Sequence, residues 1–296
     1  MHIVVSGSSG LIGTALVDRL RREGHEVVRL VRRAPGTGEA QWDPTAGKLD
    51  VGVIDAADAV INLAGAGIGD HRWTAEYKQE VLRSRTTTTA LLANTIAASS
   101  TPPAVFLSGS AIGFYGDTGD TSVDERSKAG DGFLADVCRA WEDAAAPAVA
   151  ATRLVLLRTG IVLSAKGGAL KKQLPLFKLG LGGRFGSGKQ WQSWVSIDDE
   201  IGAIIHLLTA DVSGPVNLTA PNPVTNAQFA KALAHALHRP SLLPIPAFGP
   251  KLLLGGELAD ALLFDGQRVL PTVLQQSGYT FEHPTLDGAL RTVLAK

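Results

Sequence analysis

The segment His2-Ile3-Val4-Val5-Ser6-Gly7-Ser8-Ser9-Gly10-Leu11-Ile12-Gly13 decides how the rest of the chain is read. Its first residues are apolar on successive rather than alternate positions, the pattern of a parallel strand covered on both faces. Residues 11–23 then carry a helical pattern that stops at Gly24. A strand, a Gly-x-x-Gly-x-x-Gly turn and a helix form the unit that cradles a diphosphate. Gly7 makes the tight turn, Gly10 lets the backbone approach the phosphates, and Gly13 lets helix and strand pack closely. The start of the helix offers unpaired N–H groups and a partial positive charge to an anion. Ser9, Leu11 and Ile12 lie in the same turn and complete the candidate phosphate-binding set.

Working outward, further apolar runs occur at 26–31, 58–64, 105–108 and 152–162, separated by helix candidates at 74–99 and 133–146 that end before Pro102 and Pro147. Strand and helix in alternation predict an α/β fold with a doubly wound parallel sheet. After about residue 165 the composition changes. Gly and Pro are dense over 167–188, a polar and aromatic stretch follows at 189–199, and helix candidates at 199–209 and 226–237 flank a short strand candidate at 214–218. The expected organisation is a dinucleotide-binding domain over 1–165, its sheet completed by part of 190–220. A smaller mixed α/β lobe over 166–296 sits on the C-terminal edge of the sheet.

The 296 residues carry 28 basic and 28 acidic side chains, so no net charge favours a nucleic-acid backbone, and a small-molecule partner is expected instead. A single cysteine, Cys138, forms no internal disulfide and leaves no cysteine cluster for a metal, which points to a reducing compartment. The long uncharged stretch 212–230 is broken by Pro215, Pro221 and Pro223, so no membrane span is expected there. The start of the chain lacks the features of a signal peptide, and a cytoplasmic location is expected.

The second strand ends in Leu30-Val31-Arg32-Arg33, with no carboxylate where a dinucleotide fold places one on the ribose hydroxyl. A guanidinium suits a 2′-phosphate through forked, charge-assisted hydrogen bonds. Arg32 and Arg33 therefore favour NADP over NAD; the alternative is that both are solvated surface residues.

These residues resemble the extended short-chain dehydrogenase/reductase superfamily, of the nucleotide-sugar epimerase type. The resemblance rests on the glycine triplet, on Asp58 to Gly65 with Asn62, on Phe106-Leu107-Ser108-Gly109-Ser110 leading to Phe114-Tyr115-Gly116, on Leu157 to Val162, and on Trp194 to Asp199. Within it, Asn62 to Gly69, Phe133-Leu134 with Trp141-Glu142, Gly186 to Gln190, and Gly255-Gly256-Glu257 with Gln267-Arg268 and Pro271 resemble an atypical group of epimerase family proteins with a C-terminal domain of unknown function. The resemblance implies a Rossmann sheet and adds Leu63, Ala64, Gly65, Ser108, Thr159, Gly160 and Ile161 to the cofactor-binding set. It also implies a monomer or a homodimer paired through the helices at 74–99 and 133–146.

Active members of the superfamily carry Tyr-x-x-x-Lys on a helix, with both side chains on one face. With Glu142 as anchor, Leu134 falls at the Tyr position and Cys138 at the Lys position. Ser110 aligns with the substrate-oxygen serine, and Tyr115 is the nearest remaining phenol; these two are the catalytic candidates, against readings as a turn hydroxyl and a packing residue. Cys138 is read as buried rather than nucleophilic. His71 and Arg72 are candidate contacts to an anionic substrate, and Lys189 to Trp194 a candidate lining. Two functions stay open. One is an NADP-dependent oxidoreductase or epimerase acting on a small polar carbonyl or sugar-like substrate. The other is a non-catalytic NADP(H)-binding redox sensor or regulatory scaffold, with a cell-division link among the implied roles.

Overall fold

Strand β1 (His2–Ser6) is the hub of the molecule, buried from Ile3 to Ser6 because both faces of the sheet are covered. In the computed structural model, which describes residues 1–241 and 243–295, it lies between β2 (Glu26–Val31) and β5 (Ala59–Asn62), parallel to both. Of the lobe expected over 166–296, Leu242 and Lys296 lie outside the described residues.

The chain leaves β1 through α1 (Leu11–Arg22), returns as β2, and adds β3 (Glu39–Asp43), the short antiparallel β4 (Lys48–Leu49) and α2 (Val51–Asp55) before β5. It continues through α3 (Ala75–Ala98), β6 (Val105–Ala111), β7 (Ser122–Val123), α4 (Phe133–Asp143) and β8 (Arg153–Thr159). After β9 (Ile161–Leu163), α5 (Gly168–Lys178), β10 (Trp191–Gln192), β11 (Trp194–Ser196) and α6 (Ile197–Thr209), β12 (Gly214–Leu218) completes the sheet. Its order is β12-β8-β6-β5-β1-β2-β3-β4, so successive crossovers turn one way from β1 to β3 and the other way from β5 to β12. The reversal falls between β1 and β5. In open α/β sheets, ligands bind in the crevice that opens at this point beyond the carboxyl ends of the strands.

Two layers of helix cover the faces. On one, Leu16, Val17 and Leu20 of α1 pack with Ile201, Ile204 and Leu207 of α6 against Ile3, Val5, Ile61 and Leu107. On the other, Leu92 and Ile96 of α3 pack with Ile54 against Val4, Val60 and Phe106. Each fully buried side chain of this size contributes about 1.5–3 kcal/mol relative to exposure.

Beyond β12 come β13 (Val224–Thr225), α7 (Asn226–Ala236), α8 (Phe248–Leu254), α9 (Gly256–Ala259), a π turn at Asp260–Phe264, β14 (Arg268–Val269), α10 (Thr272–Gln276) and α11 (Leu286–Ala295). Helices α5, α7 and α11 share a second core around Phe177, Trp194, Phe229 and Leu290. The tail is tied back by Asp199, fully buried on α6. Its carboxylate accepts from Glu282 N at 2.7 Å, His283 N at 3.0 Å and the Tyr279 hydroxyl at 3.1 Å.

The sheet departs from the sequence pattern in instructive places. The apolar run 152–162 is not one strand. It breaks at Gly160, whose N–H donates to Leu218 O while that of Ile161 donates to Ser193 O, moving β9 into a separate pairing with β11. Helix α5 forms in the Gly- and Pro-dense stretch, with Pro175 inside it. Strand β6 runs three residues beyond the apolar run 105–108, through Gly109 and Ser110 to Ala111. Among the described residues, no helix is long and apolar enough to cross a membrane.

The close approach of β1 and α1 has a measurable consequence. A methyl group on Gly13 would overlap the Gly7 carbonyl oxygen and lie 2.8 Å from the Ser8 Cα. Gly13→Ala is expected to destabilise the fold by about 1–3 kcal/mol, as forced overpacking does, read from the midpoint of chemical denaturation.

Candidate cofactor and substrate site

Gly7 leaves β1 with φ +70°, a conformation that favours glycine, and its Cα side abuts the Leu63 carbonyl at the end of β5. Gly10 is the N-cap of α1. Its N–H donates back to Gly7 O at 3.1 Å, no side chain caps the helix, and its first turn holds no acidic residue. A methyl on Gly10 would meet only Gly7 O at 3.4 Å, so its outer side is open. The helix thus begins with unanswered N–H groups beneath clear space. On the flank of α1 facing α6 lies a cavity of about 600 Å³, with Ser9, Gly10 and Leu11 in its wall and Lys166 among the residues contributed by the loop after β9. Arg32 and Gly65 do not line it.

At the end of β5, Leu63 N donates to Ser6 O at 3.2 Å, Ala64 N to Asn62 Oδ1 at 3.3 Å, and Ala66 N to Ser84 Oγ at 3.0 Å. Asn62 is fully buried and ties the floor together. It accepts from Ser6 Oγ at 2.5 Å and donates to Thr89 Oγ1 at 2.8 Å, which also accepts from Trp141 Nε1 at 2.9 Å. Ser108 is buried beside this floor with its hydroxyl unpartnered among the described residues. Thr159 Oγ1 donates to Glu200 Oε1 at 2.9 Å. Gly160 packs under Ser193 O, and Ile161 begins β9.

The two arginines after β2 part company. Arg33 forks onto Glu39 at 2.7 and 2.8 Å, and Glu39, drawn down to about 2 by that pairing, also accepts from Gly36 N and Arg29. Arg32 is exposed and makes no ion pair among the described residues.

Ser110 and Tyr115, the proton-handling candidates, are buried, at 4% and 3% exposure. Ser110 Oγ donates to Glu142 Oε1 at 2.6 Å. Arg158 grips the same carboxylate with two bonds of 2.8 Å, donates to the Tyr115 oxygen at 3.0 Å, and stacks 3.5 Å over the Phe114 ring. The Tyr115 hydroxyl donates to Asn217 Oδ1 at 2.7 Å, and burial pushes the phenol above its ordinary pKa. Sequence reasoning missed this buried pair. Arg158 stands in an apolar strand and Glu142 on an apolar helix face, the only signal available being two charges at core positions.

On α4, Leu134 and Cys138 both face the turn at Gly113. Burial pushes the Cys138 thiol up to about 12, which disfavours the thiolate. Arg72 donates to the carbonyls of Leu252 and Leu253 at 2.7 and 3.0 Å, closing the end of α8, and His71 meets the Tyr77 ring edge-on. In the polar aromatic stretch, Trp194 is core, Gln190 donates to Phe185 O and Leu263 O, and Trp191 donates to Asp120 while Arg268 stacks on its ring.

Residues 3–134 match the model of the NAD dependent epimerase/dehydratase family, and residues 245–293 match a domain of unknown function, DUF1731. An epimerase family protein of Mycobacterium leprae is 43% identical over 97% of this chain and 94% of its own length. The chain belongs to the epimerase family proteins. The human member, SDR39U1, is 38% identical over the full length of both. Its crystal structure, solved with NADPH, superposes with a TM-score of 0.92 at 37% identity, covering 100% of this chain and 99% of that one. The family's fold is the extended short-chain dehydrogenase/reductase fold described above.

Glu200 makes a pH-dependent prediction. It is fully buried, its second carboxylate oxygen has no partner among the described residues, and burial raises its pKa from 4.5 to about 8. Between those values the folded protein holds a proton that the unfolded chain has released, so stability falls as pH rises through that window. Glu200→Gln is expected to flatten this dependence and to raise the midpoint of denaturation at pH 8 more than at pH 5.

Proposed function

We propose that this epimerase family protein binds NADP(H) along the C-terminal edge of its sheet and acts on a small polar carbonyl or sugar-like substrate held under the C-terminal lobe. The observation that carries the reading is the uncapped start of α1 at Gly10, with no acidic residue in its first turn and open space above it. These residues fit a diphosphate: the N–H groups donate, and the absence of a side chain at Gly10 admits the phosphate oxygens. Arg32, free of a carboxylate, is the residue that selects the 2′-phosphate, while Arg33 keeps Glu39 away from it. The human relative crystallised with NADPH supports the same choice. When bound, the dinucleotide supplies or accepts a hydride.

The chain's own residues bind and orient. Asn62 fixes the floor, Leu63, Ala64 and Gly65 form the edge, and Thr159, Gly160 and Ile161 form the far wall. Ser110 and Tyr115 are positioning residues in this reading, because their protons are held at Glu142 and Asn217.

The committed hydroxyls also favour a second reading, a non-catalytic NADP(H) sensor or scaffold. Following NADPH absorbance against a panel of aldehydes, ketones and nucleotide sugars separates the two: oxidation supports the enzyme, and binding without oxidation across the panel supports the sensor.

For the cofactor, Arg32→Ala is expected to weaken NADPH binding by about tenfold or more, the value of a charge-assisted hydrogen bond, and to leave NADH binding unchanged. Arg33→Ala should have the smaller effect. Fluorescence titration checks both, and equal losses on NADPH and NADH would remove Arg32 from the 2′-phosphate.

A further inference from the structure

Met1, Val51 and Val149 apart, the large apolar side chains that stand exposed among the described residues come from two stretches, 176–181 and 243–253. Leu243, Phe248, Leu252 and Leu253 are 72 to 78% exposed. The last three belong to α8, a helix with no buried residue. Phe248 and Leu252, one turn apart, share a face of it.

Hydrogen bonds bring the two stretches together. Arg239 Nε donates to Lys178 O at 2.8 Å, Ile245 N to Arg184 O at 2.8 Å, and Gly186 N to Ile245 O at 3.0 Å. Between these ties Gly183 is pressed against the Leu243 carbonyl, whose oxygen a methyl group would overlap. Exposed Leu179 and Leu181 therefore run beside exposed Leu243, and α8 starts two residues after Pro246 on the same edge. A continuous apolar surface of this kind marks an interaction site.

The charge that accompanies these side chains is of one sign. The chain has as many acidic as basic residues, yet residues 144–197 and 212–256 contain no Asp or Glu. Over the same stretches Lys171, Lys172, Lys178, Arg184 and Arg239 are exposed. The next carboxylates along the chain from α8, Glu257 and Asp260, are paired with Lys78 and Lys251.

An apolar face set among cations selects its partner by charge. A second copy of the chain would place like charges opposite one another, which is unfavourable. An anionic bilayer answers both features: its phosphates draw the lysines and arginines, and its interface takes up apolar side chains that stand out from the protein. With seven residues, α8 is long enough to lie in that interface and too short to cross it. We propose that α8 and the paired segments 178–186 and 239–245 dock on an anionic membrane surface, with Phe248, Leu252 and Leu253 entering the headgroup boundary. The helix lies within residues 245–293, so the domain of unknown function acquires a task. The proposal does not draw on the NADP(H) reading.

The test is co-sedimentation of the full chain with vesicles of pure phosphatidylcholine and of an equimolar mixture with phosphatidylglycerol. The wild-type chain is expected to partition onto the mixed vesicles at least about tenfold more strongly, and to be released as salt is raised. K171Q/K178Q is expected to lose about twenty-fivefold on the mixed vesicles, a factor of about five for each charge. L252Q/L253Q, which keeps every charge, is expected to lose about tenfold or more. In F248W, the added fluorescence is expected to shift to the blue and to be quenched by brominated lipid. These are exposed positions, and circular dichroism confirms the fold of each variant; should L252Q/L253Q not fold, F248W decides on insertion. No binding to the mixed vesicles overturns the proposal, as does equal binding to both kinds. Full binding by L252Q/L253Q, or no quenching in F248W, reduces the contact to charge alone and overturns it too. A dimer in sedimentation equilibrium that L252Q/L253Q dissociates, without vesicle binding, assigns the face to a second copy and overturns the membrane.

Discussion

Main chain touches main chain where β1, α1 and β5 meet, and the rest of the molecule is arranged around that contact. Gly7 lies against the Leu63 carbonyl, and Gly13 lies against the Gly7 carbonyl, at separations no side chain tolerates. Three elements are therefore locked at one relative height. That height places the first N–H groups of α1 level with the open end of the sheet, and it places the reversal of strand order beside them. The anion-binding character of the edge is a by-product of packing geometry and backbone dipoles, with no charged side chain required.

On the other side of the crevice, charge is spent on architecture. Ser110, Glu142, Arg158, Tyr115 and Asn217 form one connected chain of hydrogen bonds, and Asn217 extends it by donating to Leu270 O at 3.0 Å. It links β6, α4, β8 and β12 to the C-terminal segment. A buried ion pair of this kind adds little against an apolar alternative but is costly to break, on the order of 3–5 kcal/mol when one partner is removed. Its virtue is geometric, since every member fixes the next. The network braces the sheet against the C-terminal segment.

Much of the fold was legible because it rests on local patterns. The glycine triplet, the uninterrupted apolar runs and the proline stops after α3 and α4 each report on residues near them, and β1, β2, β5, β6, α1, α3 and α4 follow from these. Strand β3 was not legible, since Glu39-Ala40-Gln41-Trp42-Asp43 is a strand whose single buried residue is Trp42. Nor was α5, which forms around Pro175 because Leu170, Leu174 and Phe177 have a second core to fill. The break at Gly160 depends on Ser193 and Leu218, both distant in sequence. At the site, the glycine turn between β1 and α1 could be read directly. The fates of Arg33, Ser110 and Tyr115 could not, because each is decided by a partner, Glu39, Glu142 or Asn217, whose proximity only the folded chain reveals.

Cys138 carries a practical corollary. The chain has a single sulfhydryl, held at 3% exposure against the turn that follows β6, with burial suppressing the thiolate. Burial keeps alkylating reagents from it in the folded protein, so labelling reports local opening around the thiol. The chain comes with its own clock for that opening, readable by mass spectrometry without introducing a probe.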